Sequence, residues 1–288
     1  MPQPIPFTSR STADQVLAGI DLSRKRVLVT ECDSPIGLET MKALSANGAV
    51  VIGVSRALHD AETACSAVGR STPLGCDPTD PASVETAMES LQRLSDPLDV
   101  VIINAFESRR FADQIAQFVL VDRLAEFARH ATGRIAIAGD DPSLMEPPAE
   151  KVVFDDPNNA RIHDPLAFHG QSQVASALFS KELSRRLKSR GVMVNAFHSA
   201  APGYRDPRDA RPARRLILSL LRLFARSAAQ RAATPALLAA SPLVAGITGE
   251  YWSDCQISRR TPLLSEAGLA KRLWDLSAQA RASGLFPE

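Results

Sequence analysis

Residues 26–54 read RVLVTECDSPIGLETMKALSANGAVVIGV and contain two apolar, β-branched runs separated by a polar turn and an amphipathic segment. The first five and the last five of these residues are typical of buried strands. Between them, Leu38, Met41 and Leu44 recur at the spacing of one helix face. A strand, a crossover helix and a second strand predict a βαβ unit whose strands are parallel.

The same alternation continues along the chain. Further strands are predicted near Leu74 and at Leu98–Ile103, Gly133–Ala138 and Gly191–Phe197, and a helix at about Pro81–Leu94. Apolar strands alternating with amphipathic helices predict an α/β fold, a Rossmann-type doubly wound parallel sheet of about seven strands flanked by helices. The 288 residues are enough for one such domain. We expect residues 23–288 to form it, with residues 1–22 as an extension packed on the domain.

The composition argues against several classes of function. A net charge of +1 gives no reason to expect a nucleic-acid partner. Cys32, Cys65, Cys76 and Cys255 have neither CxxC nor zinc-type spacing, so we expect buried thiols, no disulfide and no metal. The first residues lack the features of a signal peptide, and no apolar run approaches the ~20 residues that span a bilayer. We therefore expect a cytoplasmic protein.

The positions just after the strands are the candidate ligand contacts, because ligands on such sheets bind beyond the carboxyl ends of the strands. These positions are Glu31–Gly37, Arg56, Asp77, Asn104–Phe106, Gly139–Asp141 and His198–Gly203.

Four further segments carry a resemblance to a known family. They are Ser11–Ile20, Asp155–Asn158, Gly170–Ser172 and Gly249–Trp252. Together they resemble the short-chain dehydrogenase/reductase superfamily, and more narrowly its retinol-dehydrogenase-like branch, from about residue 11 to residue 277. The resemblance implies NADP- or NAD-dependent oxidation of alcohols or reduction of ketones.

The phosphate loop of that family, Thr-Gly-x-x-x-Gly-x-Gly, corresponds here to TECDSPIG, in which only Gly37 survives of the glycines. Glu31 places a carboxylate where phosphate charge is expected, a repulsion of roughly 1 kcal/mol at ~4 Å in bulk water. Pro35 removes a backbone donor, and Ser34 before it is a typical helix N-cap. We favour a structural turn, and an adapted cofactor loop is the alternative.

The remaining cofactor positions are altered or vestigial. The resemblance assigns cofactor contacts to Ile36, Gly37, Arg56, Asp77 and Asn104. Arg56 matches an arginine that pairs with the 2′-phosphate of NADP, and Asp77 matches an aspartate that borders the adenine. The alternatives are a solvated charge and a helix-capping sequence. Phe106 replaces a glycine that leaves room for the cofactor. We expect no tightly bound cofactor, and NADP(H) if any.

The catalytic positions are also changed. The family uses a Tyr as general acid, a Lys four residues later, a Ser and an Asn. His169 and Gln173 stand at the Tyr and Lys positions, one turn apart on a helix that begins near Pro165. Asp140 aligns with the Ser, with Gly139 as the other choice, and the Asn has no match. Gln173 cannot supply the positive charge of a Lys.

Three functions are compatible with these changes. We favour a pseudoenzyme or repurposed small-molecule-binding or accessory protein that has lost ordinary NAD(P)-linked hydride transfer. The second is an NADP-dependent oxidoreductase with a remodelled site, in which His169 donates the proton. The third is a cofactor-independent acid/base enzyme that uses Asp140 and His169.

The resemblance also bears on partners and ligands. Residues 204–232 correspond to a lid or substrate loop, and residues 211–231 form an amphipathic, arginine-rich segment. We favour a lid over an apolar small molecule, and a helix lying on a membrane surface is the alternative. The helix around His169 to Arg190 would pair two copies, or this chain with an active relative. We interpret His198 as a residue that packs within its loop.

Overall fold

The computed structural model describes residues 4–104, 111–139, 165–198, 226–258 and 267–283. In these ranges the chain forms one sheet with helices on both faces, and the strands lie in the order β3-β2-β1-β4-β5-β6-β7-β8. The strands are β1 Arg26–Thr30, β2 Val50–Ser55, β3 Ser71–Gly75, β4 Val100–Ile103, β5 Arg134–Gly139, β6 Met193–His198, β7 Tyr251–Ser253 and β8 Gln256–Ile257. The doubly wound parallel sheet that the sequence predicts is confirmed.

The helices occupy the connections between the strands. They are α1 Ala13–Leu17, α2 Pro35–Ala46, α3 Leu58–Ser66, α4 Pro81–Arg93, α5 Phe111–Ala125, α6 Pro165–Leu187, α7 Ala228–Arg231, α8 Ala233–Ala240 and α9 Ala267–Ser283. Short 3₁₀ turns follow at Lys188–Arg190 and Pro242–Val244. Among the residues described, no helix has the length and apolarity needed to cross a bilayer.

The strand count differs from the expectation of about seven, since the described part of the chain has eight. After β7 the chain reverses through Asp254 and Cys255, whose φ angles are 56° and 63°. Two consecutive residues with positive φ form the tight turn that suits the twist of a two-stranded hairpin. β8 therefore pairs antiparallel with β7 at the edge of the sheet.

The core has two apolar layers because successive strand residues point to opposite faces. In β1, Leu28 packs in the layer under α4, α5, α6 and α9, whereas Val27 and Val29 pack in the layer under α1, α2, α3 and α8. The chain leaves β3 at one edge and returns to the centre as β4, next to β1. The order in which strands are added to the sheet therefore reverses between β1 and β4, where such folds open a ligand crevice.

The C-terminal helix α9 is held against α6 by an aromatic stack that continues to α5. Phe118 of α5 lies 4.4 Å from Phe179 of α6, and Phe179 lies 5.1 Å from Trp274 of α9, ring centre to ring centre. The Arg186 guanidinium lies 4.3 Å above the Trp274 ring. The chain's own α9 thus covers the face of α6 that carries Phe179 and Arg186, so a partner subunit would have to use other parts of that helix.

Asp99 lies just before β4 and is 4% exposed. Its carboxylate binds two cationic side chains and one backbone N–H. Its carboxylate accepts hydrogen bonds from the Arg26 N–H at 3.0 Å, from Lys25 Nζ at 3.1 Å and from Arg129 Nε at 2.8 Å. Burial alone would raise the pKa of Asp99, but the hydrogen bonds from Arg26, Arg129 and Lys25 together lower it. The charged carboxylate therefore joins β1, β4 and the segment after α5.

Replacing Asp99 by Asn is expected to destabilise the protein by about 2 kcal/mol at pH 7, because two cations lose a buried partner. Since the folded-state pKa is lowered, the charge contributes above the unfolded pKa near ~4 and its contribution is lost as the pH falls through the folded pKa. The free energy of unfolding in urea, measured for both proteins at pH 7 and at about pH 3, gives the cost of the substitution and its pH dependence. Asp96→Asn is the control, since Asp96 is 70% exposed beside the same Arg26. An equal gap between wild type and Asp99→Asn at both pH values would contradict the role of the charge.

Candidate functional site

The candidate site begins at the turn between β1 and α2. Glu31, the first residue after β1, has a φ of 49°, in the left-handed region that favours glycine. The turn therefore has the backbone conformation suited to the glycine of the family loop, while its side chain is a carboxylate. A non-glycine residue in this region costs roughly 1 kcal/mol.

The N-terminus of α2 is capped by its own side chain. Ser34 Oγ accepts a hydrogen bond from the Gly37 N–H at 3.0 Å, and Pro35 occupies the first helical position. The Ser34 N–H donates in turn to the Glu31 carbonyl at 3.0 Å. The interpretation of Ser34 and Pro35 as a helix cap is confirmed. The N–H groups of Gly37 and Ser34, which would otherwise be available to an anion, are therefore already used within the turn.

Packing alone explains why Gly37 is a glycine. A Cβ at this position would lie 2.1 Å from the Glu31 carbonyl oxygen and 3.0 Å from Cys32 Cα, so α2 approaches the turn too closely for any side chain. Ile36 beside it packs partly buried against the apolar layer under α2. The one motif glycine that this loop keeps is thus explained by the packing of the fold.

The end of β2 is linked to the same turn by a short polar network. Ser55 Oγ donates to Asp33 Oδ1 at 2.5 Å and lies 3.0 Å from Cys32 Sγ. Ser55 was not among the predicted site residues, although a polar residue ending an apolar strand was a usable signal. Arg56 follows it, exposed, on the wall of a cleft of about 480 Å³ between β3 and α4.

Asp77 acts as part of a helix entry. Its Oδ1 accepts from the Thr79 N–H at 2.9 Å and from Thr79 Oγ1 at 2.7 Å, and its own N–H donates to Ser83 Oγ at 3.0 Å. Asp80 caps α4 by accepting from the Ala82 N–H. The capping interpretation of this segment is confirmed, and at least one carboxylate oxygen of Asp77 is already engaged.

Asn104 joins β1 and β4, the two strands between which the strand order reverses. Its Nδ2 donates to the Thr30 carbonyl at 2.8 Å, and Thr30 Oγ1 donates to the Asn104 carbonyl at 3.2 Å. Asn104 is 6% exposed, and its buried Oδ1 has no hydrogen-bond partner within the described part of the chain. Asn104 therefore holds β1 to β4 and retains one unsatisfied acceptor in the crevice region.

A tyrosine that was not among the predicted site residues lies at the ends of β5 and β6. The buried Tyr251 hydroxyl donates to the Gly139 carbonyl at 3.3 Å and lies 3.4 Å from His198 Nδ1. Gly139 and His198 are direct partners in the sheet. The available signal was the Gly249–Trp252 segment, which served only as a family marker. His198 therefore contacts a phenol, where the sequence suggested packing within a loop.

Polar side chains are also buried between α5 and α6. Gln114 Nε2 donates to Ser176 Oγ at 3.0 Å. Gln117 is 2% exposed, and its Nε2 has no acceptor among the described residues. Ser176 lies about one turn after Gln173 along α6.

The predicted catalytic residues are only partly covered by the structure. α6 begins at Pro165 as predicted, and His169 and Gln173 lie on its backbone, but their side chains are outside the described part. Asp140, Phe106 and residues 204–225 of the lid segment are also outside it. Whether Asp140 meets His169 stays a prediction. In the described ranges, no three His, Cys, Asp or Glu side chains cluster as metal ligands.

Comparisons with known proteins match this geometry. The family model described as short chain dehydrogenase matches residues 25–131. A "Probable oxidoreductase" of Streptomyces antibioticus is 32% identical over 276 residues, covering 83% of this chain and 88% of that protein. The "WW domain-containing oxidoreductase" of Drosophila melanogaster is 26% identical, covering 94% of this chain and 72% of the relative. A short chain dehydrogenase from Burkholderia cenocepacia, solved in complex with NADP, superposes with a TM-score of 0.61 at 21% identity, covering 81% of this chain and 97% of that one.

Replacing Gly37 by Ala is expected to destabilise the protein by about 2 kcal/mol or more, because the added Cβ collides with the Glu31 carbonyl. Gly268→Ala is the matched control, since no neighbouring atom lies within 4 Å of a Cβ there. It should change the stability by less than about 1 kcal/mol. Thermal unfolding followed by circular dichroism compares the two variants, and equal melting temperatures would refute the packing explanation.

Proposed function

The chain belongs to the short-chain dehydrogenase/reductase superfamily, and from that premise we propose that it has lost ordinary NAD(P)-linked hydride transfer and uses the fold to bind a small molecule, as a pseudoenzyme or accessory protein. The observation that carries this proposal is the self-capped N-terminus of α2, in a turn whose first residue is Glu31 in the left-handed conformation. In this fold a dinucleotide pyrophosphate binds at that helix end.

The residues at the pyrophosphate position fit a dinucleotide poorly. Ser34 Oγ already holds the Gly37 N–H, Pro35 has no N–H, and Glu31 adds negative charge. The charge alone opposes a phosphate by roughly 1 kcal/mol at ~4 Å in water and several-fold more near a protein surface. The exposed Arg56 and the unsatisfied Oδ1 of Asn104 are the features that would still favour a ligand in this region.

The changes at the catalytic helix support the same conclusion. In the family mechanism a cation lowers the pKa of the proton donor, and the neutral amide of Gln173 cannot do so. His169 would have to act without that neighbouring charge. Loss of the phosphate contacts and loss of the cation together remove both the hydride source and the proton donor of the ordinary reaction.

The ligand we propose is an apolar small molecule, held beneath the lid segment of residues 204–232 and its arginine-rich part, residues 211–231. We also propose that the chain forms a homodimer, or a heteromer with an active relative. The compartment that we propose is the cytoplasm. NADP(H), if bound at all, would bind weakly through Arg56.

Proton-transfer chemistry without a cofactor is the second candidate. The contact between Tyr251 and His198 favours it, because it places a phenol and an imidazole at the carboxyl end of the sheet. Asp140 follows Gly139, the sheet partner of His198, and was predicted to work with His169. An acid/base enzyme built from these groups would lose turnover on His198→Gln or Asp140→Asn with its ligand affinity unchanged.

Calorimetric titration with NADPH and NADH at about 0.15 M salt tests the first candidate. For the wild type, we expect a Kd above about 1 mM for either dinucleotide. Replacing Glu31 and Pro35 by Gly together should strengthen NADPH binding at least about tenfold, because a charge is removed and a donor restored. Glu39→Gln is the control. It removes a carboxylate from α2 away from the turn and should leave NADPH binding unchanged.

Two results would contradict the proposal. Micromolar NADPH binding by the wild type, with steady oxidation of NADPH on adding a carbonyl compound, would establish the remodelled oxidoreductase in its place. No gain in affinity when Glu31→Gly and Pro35→Gly are combined would show that the turn is not the obstacle.

A further inference from the structure

Three sulfur atoms converge on Gly53 in the middle of β2. A Cβ at Gly53 would lie 2.7 Å from Cys65 Sγ, 2.9 Å from Met41 Sδ and 3.2 Å from Cys32 Sγ. The sulfurs thus occupy the space that a side chain would need. Cys32 and Cys65, which are distant in the sequence, are brought together because Gly53 has no side chain to separate them.

The two thiols differ in their surroundings. Cys32 lies in the turn between β1 and α2 and is fully buried, with Ser55 Oγ at 3.0 Å from its sulfur. Cys65 lies on α3 and is 6% exposed. Hydrogen bonding to Cys32 is the main cause that lowers the pKa of Cys65 to about 6, with help from Ser71 and the Gly53 backbone. The same contact and burial raise the pKa of Cys32.

Among the described residues, no second cysteine shifts the pKa of Cys76 or Cys255. Cys76 and Cys255 are buried, and burial raises the pKa of these thiols to about 12 and about 11. The Cys255 sulfur makes a long contact with Thr234 Oγ1, at 3.8 Å. They are therefore internal controls for any thiol reaction at Cys32 and Cys65.

We propose that Cys32 and Cys65 form a reversible, peroxide-sensitive thiol pair. Hydrogen peroxide oxidises the Cys65 thiol to a sulfenic acid and is itself reduced to water. The Cys32 sulfur then attacks the sulfenic sulfur, an S–S bond forms, and the hydroxyl leaves as a second water after taking the Cys32 proton. In total, two thiols and one peroxide give one disulfide and two waters.

The crosslink would join the turn after β1 to α3 across β2. Because a disulfide sulfur has no proton, the contact of Cys32 with Ser55 would change, and Ser55 is the donor to Asp33 in that turn. Oxidation would therefore alter the turn that contains Glu31 and leads into α2. The proposal does not depend on dinucleotide binding, and it agrees with a reducing compartment, where disulfides are mostly transient or redox-sensing.

Peptide mapping tests the proposal directly on the full chain. Trypsin releases Cys32 in residues 27–42, Cys65 in 57–70, Cys76 in 71–93 and Cys255 in 232–259, so each cysteine has its own peptide. The reduced protein is treated with hydrogen peroxide, blocked with N-ethylmaleimide in denaturant and digested. We expect peptides 27–42 and 57–70 to be recovered linked, and dithiothreitol to separate them. Peptides 71–93 and 232–259 should carry the alkylating group throughout.

Two variants show whether the geometry is responsible. In Cys65→Ser, Cys32 should stay a free thiol during the peroxide treatment, and its peptide should therefore be recovered alkylated. In Gly53→Ala, the new Cβ should hold the sulfurs apart and slow the crosslink at least about tenfold, since disulfide geometry tolerates little displacement. Recovery of both cysteines as alkylated thiols in the wild type would overturn the proposal. So would a sulfinic acid at Cys65 without a crosslink, or a crosslink that forms only in denaturant.

Discussion

The first turn of α2 lies so close to the Glu31 carbonyl that position 37 has no room for a Cβ. This contact fixes the helix against the end of β1, and the cap from Ser34 and the left-handed backbone of Glu31 complete the same turn. A glycine that matches a cofactor motif is thus explained by packing alone. Keeping it says little about cofactor binding, because the fold would need it with or without a phosphate.

The polar groups at this end of the sheet largely satisfy one another. Thr30 and Asn104 exchange hydrogen bonds between β1 and β4, and Ser55 links β2 to the turn at Asp33. A phosphate binding here would meet a helix end at which Ser34 already caps the Gly37 N–H, unlike an uncapped helix end. The acceptor left over on Asn104 is the exception, and it can be satisfied by a ligand or by water.

Sequence patterns predicted the strands well because buried parallel strands are continuous apolar runs. β1 has the predicted bounds and β2 extends the prediction by Ser55 alone. The eighth strand was missed because Asp254 and Cys255 adopt positive φ without a glycine to mark the turn. The contact of Tyr251 with His198 was missed for another reason. It depends on the register of β5, β6 and β7, which no local pattern encodes.

The proposed thiol pair and the altered cofactor corner occupy one place in the fold, since Cys32 lies between Glu31 and the Asp33 that binds Ser55. In a turn that wraps a pyrophosphate, the ligand helps to set the backbone. In this chain the backbone is set by Ser34, Gly37 and the Ser55 network, so a change at the Cys32 sulfur acts on the turn directly. If this corner does not hold a phosphate, as proposed, it is free to respond to a covalent change in its own side chains, which a tightly bound dinucleotide would oppose by stabilising one conformation.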